Sequence, residues 1–219
     1  IIHRYNYLPK PLSIKELSKP LPDSLSKFYG KGFYIYKDIN RNERYFGGID
    51  TSAGLKRDYS AISILDSSGE QVAVFYRNDL PVYKFAQVCF DLGHYFNYCM
   101  YAIERNSYGL GLIDKLRREM NYLQVLRFSK FDKITGMTTF EFGFYTDNVS
   151  KTKLMNDFKE TFETGIILIN DRETLDQMKI YVQNKRGSLG NIKGEGNFDD
   201  LVDATALAVQ SLKANKSYI

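Results

Sequence analysis

The stretch YFGGIDTSAGLKRDYSAISILD, residues 45–66, constrains the fold of this chain more than any other. Two runs rich in β-branched and aromatic residues, Tyr45 to Asp50 and Tyr59 to Leu65, flank a turn of small residues (Thr51, Ser52, Ala53, Gly54) that also carries Asp58. That is the pattern of two strands joined by a short connection. Asp50 falls where the first strand runs out, so its carboxylate projects at a sheet edge, beside backbone with room for a metal or a phosphate. Taken alone, Asp50 reads as a turn former, because an Asp side chain bonds the backbone two residues on.

Length and charge narrow the choices. A chain of 219 residues fits one domain with a sizeable core, and 43% hydrophobic with 26% charged residues is the composition of a soluble globular protein. There is no apolar run of about 18 residues to span a membrane, and the first residues, IIHRYNYLPKP, lack the apolar centre of a secretory signal. The expectation is no membrane, no secretion and a reducing cytoplasm for Cys89 and Cys99, which sit in one apolar segment as buried thiols. Only His3 and His94 are present, too few and too scattered for a histidine metal site or a nucleophile and base pair, so catalysis must rest on carboxylates. The net charge is +4, but residues 1–45 hold nine Lys and Arg against four Asp and Glu, which leaves the body near neutral. Whole-chain basicity is therefore a weak argument for nucleic acid, and only local clusters carry it.

Pro9, Pro11, Pro20 and Pro22 lie among Lys and Ser at the start, so residues 1–24 are expected to form a linker or extended arm, with the packed domain over 25–219. An outer strand is predicted at Gly32 to Ile39 and another at Gln71 to Arg77, which with the first two make an antiparallel meander. Val82, Phe85, Ala86, Cys89, Leu92 and Phe96 then recur at the helical period. Met100 to Glu104 reads as a short strand, Leu110 to Met120 as a helix, and Tyr122 to Phe128 as a further strand. Residues 129–148 suggest a β-hairpin excursion, Ser150 to Thr164 a helix with Ser150 as its N-cap, Ile166 to Ile169 a strand, and Asp171 to Val182 another amphipathic segment. Gln183 to Asn197 reads as a loop, and a helix from about Asp199 to Lys213 closes the chain, its Ala204, Ala206 and Ala208 allowing close packing. Strands linked by helices pair in parallel, so the fold class is α/β with a mixed central sheet flanked by helices.

Three acidic positions acquire meaning together. Asp50 ends one strand, Glu104 ends a later one, and Asp199 with Asp200 opens the last helix. Any of them alone has an ordinary structural reading, since an acid at a helix start caps it and complements its dipole. Jointly they are what phosphodiester hydrolysis by two Mg²⁺ or Mn²⁺ ions requires, several convergent hard oxygens that hold and neutralise the cations. Without metal the same carboxylates would repel one another and DNA.

GGIDTSAG with Asp58, then AIERNSYG, then GFYTDNVSKTKLMNDF, then NFDDLVDATALA resemble the successive motifs of the nuclease domain of the large terminase subunit of tailed bacteriophages, over roughly residues 32–213. The resemblance implies a ribonuclease H-like fold and metal-dependent endonucleolytic cutting of concatemeric double-stranded viral DNA in the host cytoplasm. By position it makes Asp50, Glu104 and Asp199 the catalytic acids. Asp200 shares or takes the third role, and Asp203, one turn on, is the weaker candidate. Many members have Asp as the second acid and His before the final pair, where this chain has Glu104 and Phe198. The family's ATPase domain has no counterpart, since no G-x-x-x-x-G-K-[ST] loop occurs, and the resemblance makes that domain, the small terminase subunit and the portal the implied partners.

Phosphate contacts are expected at Lys56 and Arg57 in the turn beside Asp50, at Lys151 and Lys153, and at Lys185, Arg186 and Lys193 in the loop before Asp199, although most surface Lys and Arg are simply solvated. Lys115, Arg117 and Arg118 read as the outer face of their helix. Three rival readings stand beside the nuclease. GIDTSAG also resembles the first phosphate loop of actin-like ATPases, whose second phosphate motif is not found here. A junction resolvase or integrase core would use the same acids on other DNA structures, and a DNA-binding or docking module would use them structurally.

Overall fold

In the computed structural model of the chain, residues 8–54, 59–106, 108–131, 135–183, 189–191 and 198–216 are described. The two strands expected in the opening stretch form as β2 (Tyr45–Asp50) and β3 (Ser60–Asp66) and pair antiparallel in a register that sets Asp50 against Ala61. β4 (Gln71–Arg77) continues the meander and β1 (Phe33–Ile35) closes its outer edge. The chain then crosses through α1 (Val82–Tyr95) and returns as β5 (Met100–Ile103), parallel to β2. The sheet order is β1-β4-β3-β2-β5, mixed as the pattern required.

Alternation along β2 and β5 divides the core. Tyr45, Ile49, Tyr101 and Ile103 pack on one face with α1 and with α2 (Tyr108–Asp114), which runs into a π-helical turn at Lys115–Glu119. Phe46 and Ala102 pack on the other with Leu154 and Phe158 of α3 (Asn148–Glu163), Leu175 of α4 (Arg172–Lys179) and Leu207 of α5 (Asp200–Lys216). Asp50 follows Phe46 and Gly48 at alternate positions and so shares the α5 face. A side chain at Gly48 would overlap the Ala204 carbonyl and the Ala208 amide, so strand and helix touch backbone to backbone. The alanines expected to allow close packing are where that contact occurs.

Some expected elements shrink. The outer strand predicted over Gly32 to Ile39 is regular only at Phe33–Ile35. Tyr122 to Phe128 does not form a full strand. Val125 makes one parallel bridge to Tyr101, and the following residues turn away into β6 (Arg127–Phe131), which pairs with β7 (Thr138–Phe142) as the expected hairpin. Ile166 to Ile169 contributes one bridge, Leu168 to Glu70. The segment from Asp171 splits into α4 and β8 (Tyr181–Gln183), and β8 pairs with β9 (Leu189–Asn191) inside the region read as a loop. At α3 the cap is Asp147, which accepts from the amides of Val149 and Ser150, while Ser150 Oγ receives the Asp147 amide. Ser150 is thus the third helical residue of a reciprocal cap rather than the cap itself.

Within the Pro-rich segment, Leu12, Leu17 and Leu21 rest against the first core cluster. The Leu12 amide donates to the Ile35 carbonyl at 2.8 Å, and Tyr95 Oη donates to the Lys19 carbonyl at 2.9 Å.

Candidate metal centre

The acids converge because three elements end in one place. β2 and β5 are parallel and in register at Ile49 and Ile103, so the next residues on each strand, Asp50 and Glu104, are neighbours. The Glu104 amide donates to the Ile49 carbonyl at 2.9 Å, which holds that alignment beyond the strand. A side chain at Gly109 would collide with the Glu104 carbonyl, so α2 begins hard against the strand end and fixes its backbone. α5 supplies the rest: its contact with Gly48 lays the first turn, with Asp200 and Asp203, beside Asp50.

Electrostatics shows how tightly the carboxylates are grouped. Burial, and then the charges of Glu104, Asp200 and Asp203, push the Asp50 carboxyl well above the ordinary carboxylate range. Burial likewise raises Asp203, Lys151 draws it back, Asp199 and Glu104 raise it again, and it settles at about 6. Neighbouring carboxylates that oppose the ionisation of Asp50 and Asp203 mark a site short of positive charge.

One cation is built in. Lys151, in the first turn of α3, places Nζ 2.7 Å from Asp203 Oδ2 and 3.9 Å from Asp199 Oδ2. Burial alone would lower the pKa of its ammonium, but Asp203, Asp199 and Asp50 outweigh it and hold the pKa above its usual value. Tyr181 Oη of β8 donates to the other Asp203 oxygen at 3.2 Å.

The donor set fits a hard divalent ion, since every candidate ligand is a carboxylate oxygen. Thr51 Oγ1, adjacent to Asp50, is buried without a hydrogen-bond partner. Among the described residues, however, no three acidic, histidine or cysteine side chains are already drawn together as an ion cage. The oxygens are gathered but not closed.

Sequence reasoning ranked Asp203 below Asp199. In the structure Asp203 is the more enclosed, its side chain 15% exposed against 34% for Asp199, and it carries the bond to Lys151. The signal was available, because three residues after Asp200 is the same helix face. Tyr181 was missed altogether, and nothing in its local pattern marks it. Lys151, expected at a phosphate, is committed to carboxylates. Lys153 lines a neighbouring cleft of about 320 Å³ with Arg105, Tyr145 and Asp157. Lys56, Arg57, Lys185, Arg186 and Lys193 lie outside the described residues. Phe198 packs edge-on against Tyr59, which stacks on Tyr76. Arg117 is not on an outer face, since its guanidinium covers the Phe142 ring at 3.3 Å.

No family model matches the sequence. Among solved structures, the large terminase nuclease of thermophilic phage G20c with bound magnesium is similar at a TM-score of 0.62 and 18% identity, over 82% of this chain and 87% of that one. The same nuclease with bound cobalt is similar over the same shares at the same TM-score. The large terminase nuclease domain of Thermus phage P74-26 has a TM-score of 0.59 at 18% identity, over 81% of this chain and 84% of that one. The five-stranded mixed sheet with helices on both faces is thus the ribonuclease H-like fold of the phage large terminase nucleases.

Proposed function

We propose that this chain is a metal-dependent endonuclease that cuts concatemeric double-stranded viral DNA during genome packaging. The observation that carries the reading is the meeting of Asp50, Glu104 and the acids of α5 at one end of the sheet, close enough to hold the Asp50 proton well above its ordinary range. The fold supports it, since nucleases of this fold have been solved with magnesium, cobalt and zinc bound.

Asp50, Glu104, Asp199 and Asp200 would hold the cations, Mg²⁺ or Mn²⁺ and two in number by the chemistry of the reaction. Bound ions supply Lewis-acid polarisation of the phosphodiester and lower the pKa of the attacking water. The chain's own part is positional. β2 and β5 fix two carboxylates side by side, α5 brings the others against them, and in the metal-free protein Lys151 holds Asp203 and Asp199 in place. Lys56, Arg57, Lys153, Lys185, Arg186 and Lys193 are proposed to contact the phosphate backbone. The ATPase domain, small terminase subunit and portal of a packaging motor are the proposed partners, in the cytoplasm of the host.

The test is cleavage of supercoiled plasmid at low salt with Mn²⁺, Mg²⁺ or EDTA, with Asp50→Ala beside the parent. Metal-dependent nicking and linearisation, lost in the variant, is the expected result. Folded protein that cuts with no metal, or an Asp50→Ala variant that cuts as the parent does, would refute the reading.

A further inference from the structure

Lys151 stands in an unusual place for a surface-type side chain. Its side chain is 22% exposed, it leaves the first turn of α3, and its ammonium lies among acids that come from a different helix, 2.7 Å from Asp203 and 3.9 Å from Asp199. A phosphate contact should reach outward into solvent, whereas this ammonium faces carboxylate oxygens on the α5 side. A compact ammonium on a flexible stem is also a charge that can be displaced, unlike a guanidinium locked by two parallel bonds.

We propose that Lys151 is an internal counter-cation that occupies one of the two cation positions of the acid cluster until a divalent ion displaces it from Asp203. The inference rests on the metal-site reading above. It makes Lys151 a positioning residue, acting through Asp203 and Asp199 rather than on substrate. Two consequences follow from charge alone. One divalent ion should bind the resting protein readily at Asp50 and Glu104, away from the two carboxylates that Lys151 pairs with. A second should bind more weakly, because it must move Lys151 first.

The experiment is calorimetric titration of Mn²⁺ into the apo protein, into Lys151→Met and into Lys151→Arg. Removing the ammonium should tighten Mn²⁺ binding about tenfold or add a second measurable ion, while Lys151→Arg, which keeps the charge in a less displaceable group, should bind no more tightly than the parent. A purely structural lysine would do the reverse, weakening binding when the fold around it loosens. Unchanged or weaker binding at the same stoichiometry in a folded Lys151→Met protein would overturn the proposal.

A second measurement needs no variant. Acetic anhydride labelling of the parent, read at Lys151 by mass spectrometry, should rise severalfold on adding saturating Mn²⁺. Labelling that stays flat or falls would also overturn it. The two ideas fail separately: a parent that binds no Mn²⁺ removes the metal centre itself, whereas a parent that binds Mn²⁺ with Lys151 indifferent removes only the displacement.

Discussion

At the scale of single residues, the site is a problem of excess negative charge. Asp50 is surrounded by Glu104, Asp200 and Asp203, and burial adds to their effect. Replacing it with the neutral isostere Asn should stabilise the metal-free protein by on the order of 1 kcal/mol, since one pKa unit corresponds to about 1.4 kcal/mol, while cleavage falls at least about a hundredfold. Thermal melts in EDTA and plasmid nicking check the two halves. The same charges set a pH dependence. A carboxyl with a raised folded pKa contributes stability that is complete below its unfolded pKa and is lost as pH climbs through the folded one. For Asp203 that window runs from 3.8 to about 6. Metal-free protein should therefore lose this contribution as pH rises from 3.8 to about 6, and a bound divalent ion should offset the loss. The difference in Tm between Mn²⁺ and EDTA should widen over that range, and a constant difference would count against the acid cluster.

Elements place these residues, and here much was legible in the sequence. The meander, the crossover helix, the hairpin and the closing helix follow from alternation and period, because those patterns are local. The order of importance within NFDDLVDATALA was not legible, because it depends on which helix face meets β2. That face is fixed by Gly48 against Ala204 and Ala208, a contact between residues more than 150 positions apart. Lys151 as a partner of Asp203 was hidden for the same reason. Gly48→Ala should lower stability by roughly 3 kcal/mol, the upper range for forcing atoms into packed space, and should weaken cleavage by moving Asp50, both read against the parent by denaturant melts and nicking. A second element depends on charge. Asp66 at the end of β3, 2% exposed, accepts from Lys37 Nζ at 2.7 Å, from the Ser68 amide and hydroxyl at 2.9 and 2.6 Å, and from the Glu70 amide at 3.0 Å. Burial works against its ionisation, yet Lys37 and Ser68 hold its carboxyl below the usual range. Asp66→Ala should cost about 2 kcal/mol, less than a fully buried pair because Lys37 is half exposed. The loss should be full at pH 7 and shrink as pH falls below 4, where the parent's own carboxylate begins to protonate.

Across the whole molecule, the arrangement gives each layer a task. The helices α1 and α2 fill one face with aromatic and aliphatic side chains and hold the sheet rigid, and the opposite face carries α5, whose small residues bring its acids down onto two strand ends. The Pro-rich segment packs on the first face through Leu12, Leu17 and Leu21 and reaches the second through Leu8. One end of the sheet is thus left to the carboxylates and to Lys151. The central claim is that the ends of β2 and β5 and the start of α5 together make one metal centre. An anomalous difference map from a crystal of the protein soaked in Mn²⁺ tests it directly. The account expects a peak within about 2.5 Å of oxygens of Asp50 and of at least one of Glu104, Asp199 and Asp200, the range for hard cations on carboxylates. No peak among these residues, with manganese seated elsewhere, would contradict it.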